Sequence, residues 1–279
     1  MAHLRANSNG EELTMNTFSS RTAKATKTIV GIFATLLISP VAASAQLKVL
    51  MSGGFSGAYQ QLLPEFERTT GIKVTTGSGS SQGTGPQTIG AQLARGVPAD
   101  VVILSSEGLN ELIAANRIAA GTDVGLARTP LGVAVRARTP KPDVGTVEAF
   151  KEVLRKAKTV AIPGSTGGIW LTTHLFPQLG IAEKIDVKVP PRGTDATGMV
   201  AAGDADLAVM PVSEILHVAG VDFAGPIPPE IQFVQVFSAA VVAGSNEIEG
   251  SKRLIEFLAS ARASEAIRNS GMEPLAISR

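Results

Sequence analysis

Past residue 45 the chain alternates short β-type runs with helix-periodic stretches in two successive series, and this rhythm points to a parallel α/β fold. In the first series, residues 47–51, 72–76 and 101–104 read as strands. Helices are predicted over 55–68, where Tyr59, Leu62, Leu63 and Phe66 recur at helical spacing, and over 87–95 and 107–115. Near Arg128 the rhythm changes: 126–130 run into a strand at 131–135, and Pro140 and Pro142 punctuate the stretch after it. From Thr146 the alternation resumes, with helices predicted at 147–157, 169–179 and 195–202 and strands at 160–162, 187–189 and 207–210. The stretch 233–242 reads as one long strand or two, followed by helices at 247–260 and 263–269. Each series can bury its own sheet. The segments near 126–135 and 233–242 then become two crossovers, and the final helices return to the first lobe. The expected organisation is a first lobe of 46–128 plus 240–279 and a second of 129–239. The alternative is one doubly wound sheet.

The first 45 residues have another character. Lys24 and Lys27 precede an apolar run over 29–38, then Pro40, then Ala43-Ser44-Ala45, the pattern of a secretory signal peptide cleaved after Ala45. The run is short of the roughly 20 apolar residues that span a bilayer. Glu11 and Glu12 are acidic where such a leader is basic, which makes Met15 a candidate start. Beyond residue 45 the chain has 21 basic and 22 acidic residues, so it carries no electrostatic footprint for nucleic acid or an anionic membrane. It has no cysteine, which excludes disulfides and thiolate chemistry, and only His174 and His217 remain, too few for a histidine-built metal site. One Trp and one Tyr leave little for stacking, so a ligand would be held by hydrogen bonds.

Four small, polar, Gly-rich loops each precede a predicted helix: Ser52-Gly53-Gly54-Phe55-Ser56, Ser78-Gly79-Ser80-Ser81-Gln82, Gly164-Ser165-Thr166-Gly167-Gly168 and Pro191-Arg192-Gly193-Thr194-Asp195. Helix N-termini offer unpaired N–H groups and a partial positive charge, glycines let the backbone approach closely, and hydroxyls add donors. Loops at the carboxyl ends of parallel strands are where α/β proteins bind ligands. Two sets facing each other would close on a small anion, although each loop alone also reads as an ordinary cap or turn. The spacing Gly77-x-Gly79-x-x-x-Gly83 comes after the second strand, the wrong context for a dinucleotide fingerprint. Gly54-Phe55-Ser56-Gly57-Ala58 lacks the second glycine of a nucleophile elbow. Arg192 is set between Pro190-Pro191 and Gly193, and its guanidinium fork suits carboxylates and phosphates. Asp195 reads as a first-turn acid, Ser213-Glu214 as the opening of a helix over Ile215 and Leu216, and Asp100 as a structural acceptor for loop amides.

Several ordered motifs resemble periplasmic molybdate-binding proteins. They are Leu47-Lys48-Val49-Leu50 with its small-residue loop, Phe66-Glu67-Arg68-Thr69-Thr70-Gly71-Ile72-Lys73-Val74, Arg95-Gly96-Val97-Pro98-Ala99-Asp100-Val101 and Gly203-Asp204-Ala205-Asp206-Leu207-Ala208-Val209. The resemblance runs over most of 47–277 and implies a type 2 periplasmic binding fold. That fold has two α/β lobes, each a mainly parallel sheet flanked by helices, with two crossovers and a ligand in the cleft. It further implies residence in the periplasm, a small anionic solute, an ABC-transporter permease as partner, a monomer, and neither cofactor nor nucleic acid. In that family serine hydroxyls and backbone N–H groups hold the oxyanion. Carried over, the first-loop serine falls on Gly54 with Ser52 and Ser56 near, the second-loop serine on Ser80 or Ser81, backbone donors on Gly167 and on Gly193 or Thr194, and a tyrosine on Pro211. The ligand set expected is therefore Ser52 to Ser56, Ser80, Ser81 and Gln82 from one lobe, and Ser165, Thr166, Gly167, Arg192, Gly193 and Thr194 from the other. The longer second loop and Trp170-Leu171-Thr172-Thr173-His174-Leu175-Phe176 are similar to a divergent branch, periplasmic aconitate isomerase. The first reading is thus a solute-binding protein for a tetrahedral oxyanion or a small di- or tricarboxylate. The alternative is an isomerase, with Glu214, His174 or Asp195 as acid or base.

Overall fold

The computed structural model describes residues 46–275; the expected signal peptide over 1–45, with the cleavage expected after Ala45 and the candidate start at Met15, lies outside the described residues. The first series gives β1 (Gln46–Met51), α1 (Ser56–Thr70), β2 (Lys73–Ser78), α2 (Ile89–Ala94), β3 (Val101–Ser105) and α3 (Ser106–Ala114). Local chemistry sets these boundaries. Thr88 and Ser105 cap α2 and α3 by accepting from Ala91 N at 3.1 Å and Gly108 N at 3.2 Å. Gly71, at φ 73°, ends α1 in the left-handed conformation that glycine adopts without strain. Asp100 is structural as expected: its carboxylate accepts from Lys48 N at 2.8 Å and from Ser245 Oγ at 2.7 Å.

A long strand, β4 (Val124–Arg136), then leads to α4 (Val147–Lys156), β5 (Val160–Ala161), α5 (Thr166–Trp170), a π-helical turn at Leu171–Leu175, α6 (Phe176–Gln178) and β6 (Val187–Lys188). After these come α7 (Gly193–Ala202), β7 (Leu207–Pro211), β8 (Val221–Pro226), β9 (Val234–Val241), α8 (Ile248–Ala259), α9 (Ser264–Asn269) and β10 (Glu273–Pro274). The strand order is β2-β1-β3-β9-β4-β7-β5-β6, with β8 and β10 also paired to β4. Within this path β1 is parallel to β2 and β3, and β5 is parallel to β6 and β7.

Strand β4 serves two lobes. From Val124 to Pro130 it pairs with β9, and from Leu131 to Val135 with β7. The change of partner falls between prolines: Pro130 precedes Leu131, and Pro211 lies opposite it. Neither proline can donate to a ladder, so backbone pairing cannot run on unbroken. Gln232 fills the gap, its Oε1 accepting from Leu131 N at 2.7 Å and its Nε2 donating to Leu131 O at 3.1 Å.

Each lobe buries apolar residues on both faces of its sheet. In the first lobe one face carries Leu47, Phe55, Tyr59, Phe66, Ile103 and Phe237, the other Leu50, Ile89, Val102 and Leu109. In the second, Val133, Phe150, Ile162, Leu171 and Val209 form one core and Ala134, Ala196, Val200 and Met210 the other. The architecture is the expected two-lobed α/β fold. Four details depart from the sequence reading. The helix predicted at 169–179 starts at Thr166 and includes the π-helical turn, and the helix over Ile215 and Leu216 is instead a 3-10 turn at Val212–Glu214. Strands β8 and β10 have no counterpart in that reading: β8 has little apolar alternation, and its register on β4 shifts between Val133 and Ala134.

Candidate functional site

All four Gly-rich loops meet at one cavity between the lobes, with a volume of about 280 Å³. At the end of β1, Ser52 N donates to Ile103 O at 2.8 Å, which ties its loop to β3. The Ser52 side chain is buried, and among the described residues its Oγ has no hydrogen-bond partner. Ser56 Oγ turns back to donate to Gly53 O at 2.6 Å. In the second loop Gly79 N donates to Met51 O at 3.0 Å, and Ser81 Oγ accepts from Ser105 N at 2.9 Å. Ser80 Oγ reaches across to the other lobe and donates to Pro191 O at 2.8 Å.

The second lobe answers with the starts of α5 and α7. Ser165 occupies the position before α5 but makes no side-chain cap bond, leaving its hydroxyl at the cavity wall. The turn into α5 needs glycine at 168, because a Cβ there would overlap Pro163 O. Arg192 precedes α7, and its fork is already engaged: Nη2 donates to Asp195 Oδ1 at 3.0 Å and Nε to Oδ2 at 3.2 Å. The Asp195 carboxylate pushes the Arg192 pKa up, so the guanidinium stays charged.

Glu214 occupies the seam. The 3-10 turn after β7 brings its carboxyl against Gly53 of the first lobe and Gly193 of the second; a Cβ on Gly53 would lie 2.8 Å from Oε2, and one on Gly193 would overlap it. Among the described residues its carboxyl has no hydrogen bond and no ion pair, and burial pushes its pKa up to about 7. Of the cavity-lining side chains, Arg192 is the one cation and Glu214 the one acid.

The cavity therefore gathers Ser52, Gly53, Ser56, Ser80, Ser81, Ser165, Gly167, Arg192, Gly193 and Thr194 of the expected set, together with Glu214. Others are placed elsewhere. Phe55 is fully buried in the first lobe's core, and Gly54 packs so tightly on the Phe237 ring that a Cβ would overlap it. Gln82 Nε2 donates to Glu111 Oε1 at 2.5 Å, and Thr166 Oγ1 is bonded to Ser105 Oγ at 2.7 Å, buried between the lobes. His174 is exposed on the π-helical turn with Nδ1 2.7 Å from Thr173 Oγ1, away from the cavity lining, and Asp195 is spent on Arg192. Of the three candidate acid–base groups, only Glu214 lines the cavity. Among the described residues no cluster of three His, Cys, Asp or Glu side chains could hold a metal ion.

Gln60, Pro163 and Gln235 also line the cavity, and sequence reasoning did not find them. Gln235 is 3 % exposed and its Oε1 has no partner among the described residues, at a usual cost of about 1–3 kcal/mol for a buried polar group. The signal available was one polar residue in the apolar run Phe233-Val234-Gln235-Val236-Phe237.

With this geometry, comparison with known proteins is specific. Residues 47–273 match the family described as bacterial extracellular solute-binding protein. An aconitate isomerase from Pseudomonas sp. is 36 % identical over 230 residues, covering 82 % of this chain and 88 % of that protein. The periplasmic molybdate-binding protein of Azotobacter vinelandii superposes with TM-score 0.64 at 21 % identity, over 81 % of this chain and 98 % of that one. The sulfate-binding protein SubI of Mycobacterium tuberculosis H37Rv gives TM-score 0.67 at 20 % identity, over 84 % and 88 %. Shared topology and a family match over nearly the whole described chain lead to one conclusion: the chain belongs to the bacterial extracellular solute-binding proteins.

Proposed function

We propose that this protein is exported to the periplasm, binds a small polycarboxylate in the interlobe cleft, and moves a proton along it as an aconitate isomerase. The observation that carries this reading is Glu214: an unpartnered carboxyl in the cavity wall with a pKa of about 7. A site built only to hold anions gains nothing from an acid facing the ligand. A carboxyl balanced near neutrality suits a group that takes up and returns a proton. The 36 % identical aconitate isomerase and the cavity volume, equal to about nine waters at roughly 30 Å³ each, support it.

In an allylic isomerisation Glu214 removes a proton from the methylene carbon. The C–H electron pair forms a new double bond as the old one opens, and the Glu214 carboxyl, its O–H exchanged with solvent, delivers a proton to the former vinyl carbon. Negative charge passes onto the carboxylates, where the Ser52 and Ser81 hydroxyls, the first N–H groups of α7 and Arg192 are placed to stabilise it. The test is incubation with trans-aconitate in D₂O, followed by NMR for the cis isomer and for deuterium at the methylene carbon. Wild-type protein should produce both, and Glu214→Gln should reduce the rate by at least about 100-fold. Wild-type protein that binds trans-aconitate without turnover or exchange would refute the isomerase. Delivery of a bound anion to an ABC-type permease is the second reading. It is favoured by the largely neutral, hydroxyl-rich lining, and it predicts a thermal shift with molybdate or sulfate that Glu214→Gln leaves intact.

A further inference from the structure

We propose that Gln235 is the specificity-determining residue of the cleft, its carboxamide receiving a third carboxylate and so separating tricarboxylates from dicarboxylates. This rests on the polycarboxylate reading above. The other donors of the cavity come from the two lobes: loop hydroxyls and Gln60 of α1 on the first, and Ser165, Arg192 and the first N–H groups of α7 on the second. Gln235 belongs to neither group. It lies on β9, where the chain returns from the second lobe to the first, opposite Thr129 of β4.

Its neighbours on the strand explain why it faces the cavity. Val234 is 48 % exposed and Phe237 is buried in the first lobe's core, so the carboxamide stands at the boundary where the strand enters the sheet. The side chain is 3 % exposed, lines the cavity, and makes no side-chain hydrogen bond among the described residues. Gly167 leaves room beside it; a Cβ at 167 would lie 3.3 Å from Gln235 Oε1. Oε1 is the atom buried beside Gly167, which leaves the Nε2–H₂, free of any hydrogen bond among the described residues, as the group that meets a ligand. This group donates to an anion without adding a second cation to the site.

The test uses two acids that differ by one group: trans-aconitate and trans-glutaconate, which lacks the central carboxylate. Calorimetric titration of the wild-type protein should show trans-aconitate bound about 10- to 100-fold more tightly, the range for one hydrogen bond to a charged group. Gln235→Leu should bring the two affinities within about threefold while leaving glutaconate unchanged. Its melting temperature without ligand should not fall, because an unsatisfied amide is removed. If Gln235→Leu does not fold, Gln235→Glu should weaken trans-aconitate more than glutaconate by like-charge repulsion. Unchanged discrimination in the variants, or an equal loss for both acids, would overturn the role of Gln235 alone. Wild-type protein that binds neither acid would sink the polycarboxylate reading, and this inference with it.

Discussion

At the scale of single residues, Glu214 couples stability to pH. Burial raises its pKa from 4.5 to about 7 in the folded protein, so between those values the folded state holds a proton that the unfolded chain has released. Whatever stability that proton provides is complete below pH 4.5 and is lost as pH rises through about 7. Glu214→Gln is neutral at every pH and escapes the loss. Its melting temperature should match wild type near pH 4.5, exceed it increasingly up to about pH 7 and by a constant margin beyond, with at most about 3 kcal/mol of stability gained. Thermal melts across that range check the sign, and a constant offset would mean that the carboxyl is solvated. The sequence placed Glu214 level with His174 and Asp195, because residue type alone does not reveal depth. What separates them is local: a 3-10 turn seats Glu214 between two glycines, a π-helical turn carries His174 outward, and Arg192 neutralises Asp195.

Among the elements, the loop between β2 and α2 acts as a strap. Ser80 Oγ holds Pro191 O, and Gly83, at φ 117°, rests so close to Gly164 O that a Cβ would overlap it. Gly83→Ala therefore carries backbone strain and a clash with the opposite lobe. It should raise the Kd for the anion by about tenfold, the equivalent of 1.4 kcal/mol lost from the closed form. Titration of this variant beside Gly85→Ala, where a Cβ meets only Gln87 N at 4.0 Å, checks whether the effect comes from closure. The loops were legible in the sequence because glycine and serine recur before four helices, a pattern that one ordinary cap or turn does not make. Strand β8 was not, since it gains its order from pairing with β4 rather than from its own alternation. The same reasoning explains Gln60 and Gln235. Both sit on regular elements whose periodicity gives their secondary structure but not which neighbour will open a cavity beside them.

For the whole molecule, the strand changeover between the lobes is bridged by one side chain. β9 pairs with β4 as far as Pro130 opposite Val234, and β7 takes over from Leu131 opposite Pro211. At this changeover the Gln232 carboxamide stands in for strand backbone, and Leu131 is fully buried. Gln232→Ala would strip Leu131 N of its acceptor and Ile227 O of the Nε2 donor 3.0 Å away, while Leu131 O would keep its bond from Ile227 N at 3.1 Å. One buried N–H left unpaired costs about 1–3 kcal/mol, and a chain of this size loses about 2–4 °C per kcal/mol. A fall of several degrees in Tm should result, against almost none for Gln46→Ala, whose 2.9 Å bond to Thr75 is exposed. The ligand sharpens the test, because Gln235 lies three residues further along the same crossover. A bound tricarboxylate that holds Gln235 also pins the crossover carrying Gln232, so saturating trans-aconitate should restore part of the lost Tm in Gln232→Ala, beyond the shift it gives wild type. Equal ligand shifts in the two proteins would mean that the crossover is already rigid and that cleft and join are energetically separate.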